Sequence, residues 1–203
     1  NQRNKLLKDI SFNSGLKDTL DIWDIQLIEY GENVIQARKK FVSDINEIIS
    51  EIHKKLTGNQ EQIEVIYEPN TGGQSLGDVI QKNRERDLRM MSTTSGPHRD
   101  DICFQVDGID IRKFGSQGQQ RTAALSLKLS EIELVKMLTK DKPVLLLDDV
   151  LSELDKHRQN YLLDSIDDIQ TLITCTGVDE FVNHRFSINK IFYVHEGQVR
   201  NEN

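Results

Sequence analysis

The chain has 203 residues, a formal charge of −7 and a pI near 5.3, which excludes a surface that is basic throughout. Any contact with a nucleic-acid backbone must therefore come from a local cluster of Lys and Arg. With 36% hydrophobic and 29% charged residues, the composition fits a compact part joined to an elongated, mostly solvated part, or a domain missing some of its core. Cys103 and Cys175 lie far apart inside apolar, strand-like runs, a pattern of reduced, buried thiols and of a cytosolic protein. No apolar run is long enough for a signal peptide or a membrane span. The chain begins Asn1-Gln2-Arg3, and the missing methionine reads as a piece of a longer protein.

In chain order, the first clear element is a helix from about Thr19 to Leu56. Its apolar positions recur at three- and four-residue steps through Phe41 or Val42, Ile45, Ile49, Ile52 and Leu56, which makes one apolar stripe. Gly31 is expected to break this helix into two, and Gly58 to stop it. Gln62 to Tyr67 alternates as a short strand. Pro69 to Gln74 is turn-rich, and Ser75 caps a following helix with Asp78 three residues on. That helix holds Lys82, Arg84, Arg86 and Arg89, the densest basic cluster in the chain. It reads either as a solvated face partly neutralised by Glu85 and Asp87 or as a contact for DNA or a partner.

From Ser95 the pattern changes. Ile102 to Val106 and Ile109 to Ile111 flank Asp107-Gly108, a two-residue hairpin turn. An amphipathic helix runs from Gly118 to Leu138. Val144 to Leu147 is a continuous apolar run of the kind found in strands buried on both faces. A helix at Lys156 to Ile166, a strand at Thr171 to Cys175 and a hairpin from Ile191 to Arg200 around Glu196-Gly197 follow. Strand and helix alternate, which predicts a mainly parallel α/β sheet.

Three segments carry chemistry. Ser116-Gln117-Gly118-Gln119 opens a helix, where unpaired N–H groups and the helix dipole favour an anion such as a γ-phosphate. Gly118 lets a backbone approach closely, and Ser116 can cap the helix or donate to phosphate. The run Val144 to Leu147 delivers Asp148 and Asp149 to the carboxyl end of a parallel sheet, where ligands of such sheets bind. One such aspartate positions Mg²⁺ in phosphoryl transfer, and a neighbouring carboxylate can polarise the attacking water. The plain alternative is an Asp-Asp pair serving as turn and helix cap. Ser152-Glu153-Leu154-Asp155 then follows as a short acidic loop. A G-x-x-x-x-G-K-[ST] phosphate loop is absent from the sequence; its nearest approach, Gly72 to Gly77, has Asp78 where the lysine should stand.

With Phe114 to Thr122, Leu146 to Asp155, the run Ser95-Gly96-Pro97-His98-Arg99-Asp100-Asp101, and the stretches Gln2 to Leu7 and Leu20 to Asp24, the chain resembles the ABC-type ATPases. Within them it resembles the RecF family of bacterial DNA repair proteins, over nearly its whole length. The resemblance implies an α/β fold: part of an ABC-type ATPase head, mainly a parallel sheet flanked by helices, with a helical arm subdomain. Residues 1–94 would be the arm and 95–203 the C-terminal part of the head, following a phosphate-loop lobe. It also implies roles. Ser116, Gln117, Gly118 and Gln119 match the signature motif, which contacts ATP held by the phosphate loop of a second subunit. Asp148 matches the Mg²⁺-associated carboxylate, and Asp149 takes the catalytic position where most ABC ATPases have glutamate. Ser152 to Asp155 match the loop that crosses the dimer interface.

The cofactors implied are ATP and Mg²⁺, both needing the phosphate-loop lobe for tight binding. The partners implied are double-stranded and gapped or single-stranded DNA, a second copy of the chain, RecR and RecO, and the recombinase RecA indirectly, in DNA repair and the SOS response. The histidine expected after the penultimate strand of an ABC ATPase is replaced by Thr174-Cys175-Thr176-Gly177, and His184 falls too late. His98 is given no catalytic role. The competing readings are another SMC-like ATPase or a non-catalytic interaction fragment of one.

Overall fold

The computed structural model describes residues 2–176 and 190–202, so Gly177 and His184 lie outside the described residues. The chain separates into two compact units, residues 1–130 and 131–203.

In the first unit, α1 (Gln2–Phe12), α2 (Leu20–Leu56) and α3 (Leu76–Met90) pack on one another, and α2 packs on β1 (Ile63–Glu68) of a three-stranded antiparallel sheet completed by β2 (Asp101–Val106) and β3 (Ile109–Asp110). β1 pairs with β2 from Ile63 opposite Val106 to Glu68 opposite Asp101, so strands from either side of residue 94 share one sheet. Asp107 and Gly108 both have positive φ, 50° and 79°, the backbone a two-residue hairpin needs. A short helix α4 (Ile111–Phe114) leads into α5 (Gln117–Thr139). Helix α1 had no counterpart in the sequence reading, although Leu7 and Ile10 pack with Leu20 in its core.

Helix α2 differs from expectation at Gly31. The glycine costs a helix interior about 1 kcal/mol relative to alanine, yet α2 runs unbroken for 37 residues. A Cβ at Gly31 would lie 2.3 Å from Leu76 Cδ2 and 3.5 Å from Pro97 Cδ. Gly31 is thus a seat for another helix rather than a break. Leu76 fills it and forms a core cluster with Ile35 and Ile80. Further along, Val42 faces inward and Phe41 outward, which settles the ambiguity in the stripe. The helix ends at Leu56, just before Gly58 at φ 63°. Ser75 caps α3 as expected, accepting from Asp78 N at 3.1 Å.

Asp87 is a second correction. It does not neutralise a solvated face, because it is 0% exposed. Its Oδ2 accepts from Arg3 at 2.8 Å and its Oδ1 from Thr94 N and Oγ1 at 2.9 and 2.6 Å. The buried Arg3 guanidinium also donates to Asp24 at 2.7 Å and to Thr93 Oγ1 at 2.7 Å. One cation on α1 therefore joins α2 to α3. Arg84 is drawn into the same cluster by Asp21 and Asp24, which leaves Lys82, Arg86 and Arg89 as the exposed bases of α3.

Asp100 of the run 95–101 is a further buried anchor. It accepts from Arg38 at 3.0 Å, from Asn70 N at 2.9 Å and from the Tyr67 hydroxyl. Burial first, and this carboxylate second, push the Tyr67 phenol up to about 12. Gly96, at φ 135°, supplies the turn that only glycine readily adopts. His98 faces the Thr93 carbonyl at 3.3 Å, in keeping with a turn residue.

The second unit holds the parallel pair β4 (Leu145–Asp148) and β5 (Thr171–Thr174), helix α6 (Lys156–Ser165), and the antiparallel hairpin β6 (Ile191–His195) and β7 (Gln198–Glu202). Among the described residues, parallel pairing is confined to β4 and β5. The expectation that Val144 to Leu147 is buried on both faces does not hold. Val144 is 59% and Leu146 71% exposed, while Leu145 and Leu147 are half-buried. With one neighbouring strand and cover on one face, an apolar run is left alternating. Cys103 is buried as expected, whereas Cys175, one residue past the end of β5, is exposed; neither is in a disulfide. No described helix is long and apolar enough to cross a membrane.

Arg3→Ala leaves Asp87 fully buried without its cation and Asp24 with only the more distant Arg84, so it should lower the unfolding free energy by about 3–5 kcal/mol. Chemical denaturation checks this, and a loss below about 1 kcal/mol, the level of an exposed pair, would contradict the assignment.

Candidate functional site

The two motif-bearing segments fall in different units and are described separately. In the first unit, Ser116 and Gln119 form a reciprocal cap. Ser116 Oγ accepts from Gln119 N at 3.2 Å, and Gln119 Oε1 accepts from Ser116 N at 3.0 Å. This is the Ser-x-x-Gln version of the capping box. Gln120 N reaches Ser116 O at 3.0 Å, and its side-chain amide donates to Ile111 O at 2.8 Å. The N–H groups of Gln117 and Gly118, the first two of α5, have no acceptor within a helix start and remain available to an external anion.

The two glycines of this segment differ in kind. At Gly115 a Cβ would lie 2.6 Å from both Ile111 Cβ and Ile111 O, so local packing requires glycine. At Gly118 it would meet only Ser116 Oγ, at 3.8 Å. Nothing among the described residues explains a glycine in that exposed helical position, where it costs about 1 kcal/mol. Gln117, Gly118 and Ser116 are all exposed. Space left open by Gly118, beside two outward N–H groups, suits close approach of a phosphate.

In the second unit the structure brings together Asp148, Asp149, Ser152 and one residue the sequence reading did not single out, Thr174. Asp148 and Thr174 face each other across the parallel pair. The Thr174 hydroxyl donates to Asp148 Oδ1 at 2.5 Å. Asp149 N donates to Thr174 O and approaches its Oγ1, both at 3.1 Å. Asp149 sits at φ 51°, a strained backbone for a residue with a side chain and one that concentrates at functional sites. Ser152 Oγ donates to Asp149 O at 2.9 Å, so the loop is tied back onto the strand end. The sequence signal for Thr174 is its place at the end of β5, where Thr174-Cys175-Thr176-Gly177 replaces the histidine of an ABC ATPase.

Asp155 has a structural duty. It caps α6 by accepting from Arg158 N at 3.0 Å, and Arg158 Nη1 adds an ion pair at 2.6 Å. The Arg158 backbone N–H is the first cause holding its carboxyl below the usual carboxylate range. Among the described residues no group of three or more His, Cys, Asp or Glu gathers to hold a metal. Asp148 and Asp149 are therefore a pair, not a cage.

No protein-family model matches the chain. It is 59% identical over 198 residues to the DNA replication and repair protein RecF of Agathobacter rectalis, covering 98% of this chain and 55% of that protein. It is 58% identical over 205 residues to the RecF of Lachnospira eligens, covering 100% and 56%. Two solved structures of the recombination mediator protein RecF in the RecFOR pathway, described as RecF-ATP and RecF-ATPrS, superpose with TM-scores of 0.86 and 0.85. They are 35% and 36% identical, with 100% and 98% of this chain and 55% of theirs covered. The fold is that of part of an ABC-type ATPase head. Over the portion it spans, the chain belongs to the RecF family. It spans about half the length of the curated relatives it matches.

Asp155→Ala should cost about 1 kcal/mol of stability at neutral pH, the usual loss for a helix cap. Because the folded carboxyl is held low, that stability is present above the unfolded value of about 3.9 and fades as pH falls through the lower folded value. Denaturation of wild type and variant across acidic pH checks this; a difference that stays constant into strong acid would contradict it.

Proposed function

We propose that this chain is the arm and the C-terminal part of the head of a RecF-type, DNA-dependent ATPase. The parent protein binds ATP with Mg²⁺, dimerises on double-stranded DNA next to gaps or single strands, and hydrolyses ATP slowly. With RecO and RecR it assists loading of the recombinase RecA during cytoplasmic DNA repair and the SOS response. The observation that carries this reading is the signature turn: capped within its own chain, solvent-facing, and left open at Gly118 with no packing reason for glycine. A turn built so suits a nucleotide belonging to another subunit.

Roles follow position by position. The Gln117 and Gly118 N–H groups and the Ser116 hydroxyl contact the γ-phosphate in trans, and Gln119 holds the turn. Asp148, exposed and with one oxygen on Thr174, fits Mg²⁺, which is usually held by one or two carboxylates with phosphate oxygens and water. The ion supplies charge neutralisation at the phosphates. Asp149 orients and polarises the attacking water; its arm is shorter than a glutamate's by one C–C bond, about 1.5 Å, which accords with slow turnover. Ser152 and Asp155 shape the loop presented to the partner subunit. We read residues 1–94 as the arm and 95–203 as the head portion. The exposed apolar side chains of Val144, Leu146 and Leu172 are where the remaining part of the head would pack.

In the full-length protein, Ser116→Arg should retain ATP binding and lose ATP-dependent dimerisation. Asp149→Asn should prolong the ATP-bound dimer by slowing turnover by roughly 10²–10⁴-fold, the usual weight of general-base catalysis. Light scattering and phosphate release check both; normal dimerisation of the first and normal turnover of the second would refute the assignment.

A further inference from the structure

The signature turn does not stand alone in its unit. Gln119 uses its Oε1 for the cap on Ser116 N, and its Nε2 donates to Glu61 Oε1 at 3.0 Å. Glu61 lies in the connection between α2 and β1. Its other oxygen, Oε2, faces His53 Nε2 at 3.4 Å. His53 is on the last turn of α2 and is fully buried. A fully buried imidazole is unusual and requires partners.

The second ring nitrogen of His53 also leads to α5. His53 Nδ1 lies 2.9 Å from Ser126 Oγ. The Ser126 hydroxyl donates to Thr122 O at 2.8 Å, and the Thr122 hydroxyl donates to Gly118 O at 2.7 Å. Ser126 Oγ thus lies within reach of both Thr122 O and His53 Nδ1, while His53 Nε2 faces the Glu61 carboxylate, which accepts from it when Nε2 carries the proton. Two polar routes thus run from the end of α2 to the turn. One passes through Glu61 to the Gln119 side chain, the other through Ser126 and Thr122 to the Gly118 carbonyl.

We infer that His53 and Glu61 are positioning residues for the signature turn: the end of the long helix α2, acting through the Glu61–Gln119 bond, sets the cap that orients Ser116 and the two open N–H groups. The inference rests on the reading of residues 116–119 as a surface for another subunit's nucleotide. Glu61 touches no nucleotide; it acts through Gln119. A free Gln119 side chain would exchange its Oε1 bond for water, and the turn would lose its fixed geometry. Movement of α2 is thereby felt at the signature, and closure over a nucleotide at α2.

The test compares Glu61→Ala, Glu61→Gln and Ser116→Arg in the full-length protein. Glu61→Ala should weaken ATP-dependent dimerisation by about tenfold, the scale of one hydrogen bond to a charged group. Amide hydrogen exchange should quicken in the peptide spanning 112–121, with ATP binding confirming that the variant is folded. Glu61→Gln keeps an oxygen that accepts from Gln119 Nε2 and should restore most of both properties, which a general loss of stability would not. Wild-type dimerisation by Glu61→Ala, or a Glu61→Gln variant as defective as Glu61→Ala, would overturn the inference. If Ser116→Arg abolishes dimerisation while Glu61→Ala does not, only the positioning role falls. If Ser116→Arg also dimerises normally, the reading of the signature falls with it.

Discussion

The continuity of α2 through Gly31 is the constraint on which the first unit depends. A 37-residue helix is about 55 Å long at 1.5 Å per residue. Gly31 admits Leu76 and Pro97 against the backbone of this unbroken rod, so both seat directly on it. Near its start, Asp24 is held by Arg3 in a cluster that also secures α3 through Asp87. Near its end, His53 and the following Glu61 meet α5 and the signature turn. Between these lie Arg38, bound to Asp100, and Asn46, bound to both the N–H and the C=O of Val65 in β1. The helix is therefore registered by polar contacts along its length. Apolar burial supplies most of the stabilisation, and the polar bonds fix which face and which height.

The two candidate segments use different physical means to stay in place. The signature turn is satisfied locally, each of Ser116 and Gln119 capping the other, so it needs no ligand to be ordered. Its opening at Gly118 is what the rest of the chain leaves unused. The carboxylate segment instead holds a strained Asp149 by two contacts to Thr174, the residue that also binds Asp148. A side chain at the end of β5 thereby links both acids across a parallel strand pair.

Legibility from sequence tracked how local the cause was. The extent of α2, the Ser75 cap and the Asp107-Gly108 hairpin depend on neighbours in sequence, and all were readable. Gly31 was misread because its cost is local while its reason, Leu76, is 45 residues away. Asp87 read as a surface acid because its buried cation, Arg3, comes from another helix. The run Val144 to Leu147 resembles a strand covered on both faces, but burial depends on layers that the pattern does not reveal. At the site, the order and spacing of Ser116 to Gln119, Asp148, Asp149 and Ser152 to Asp155 were legible. Glu61, His53 and Thr174 were not, since each matters through a bond to a residue more than 20 positions away.

The central claim is that the signature turn of one subunit completes the nucleotide site whose carboxylates lie on another. Mixing full-length Ser116→Arg and Asp149→Asn proteins in equal amounts, and measuring phosphate release, tests it most directly. Each variant alone should be nearly inactive. Each mixed dimer holds one composite site with an intact turn and an intact carboxylate, so the mixture should release phosphate at a rate neither variant reaches alone, up to about half that of the wild type. A mixture no more active than its separate components would contradict the account.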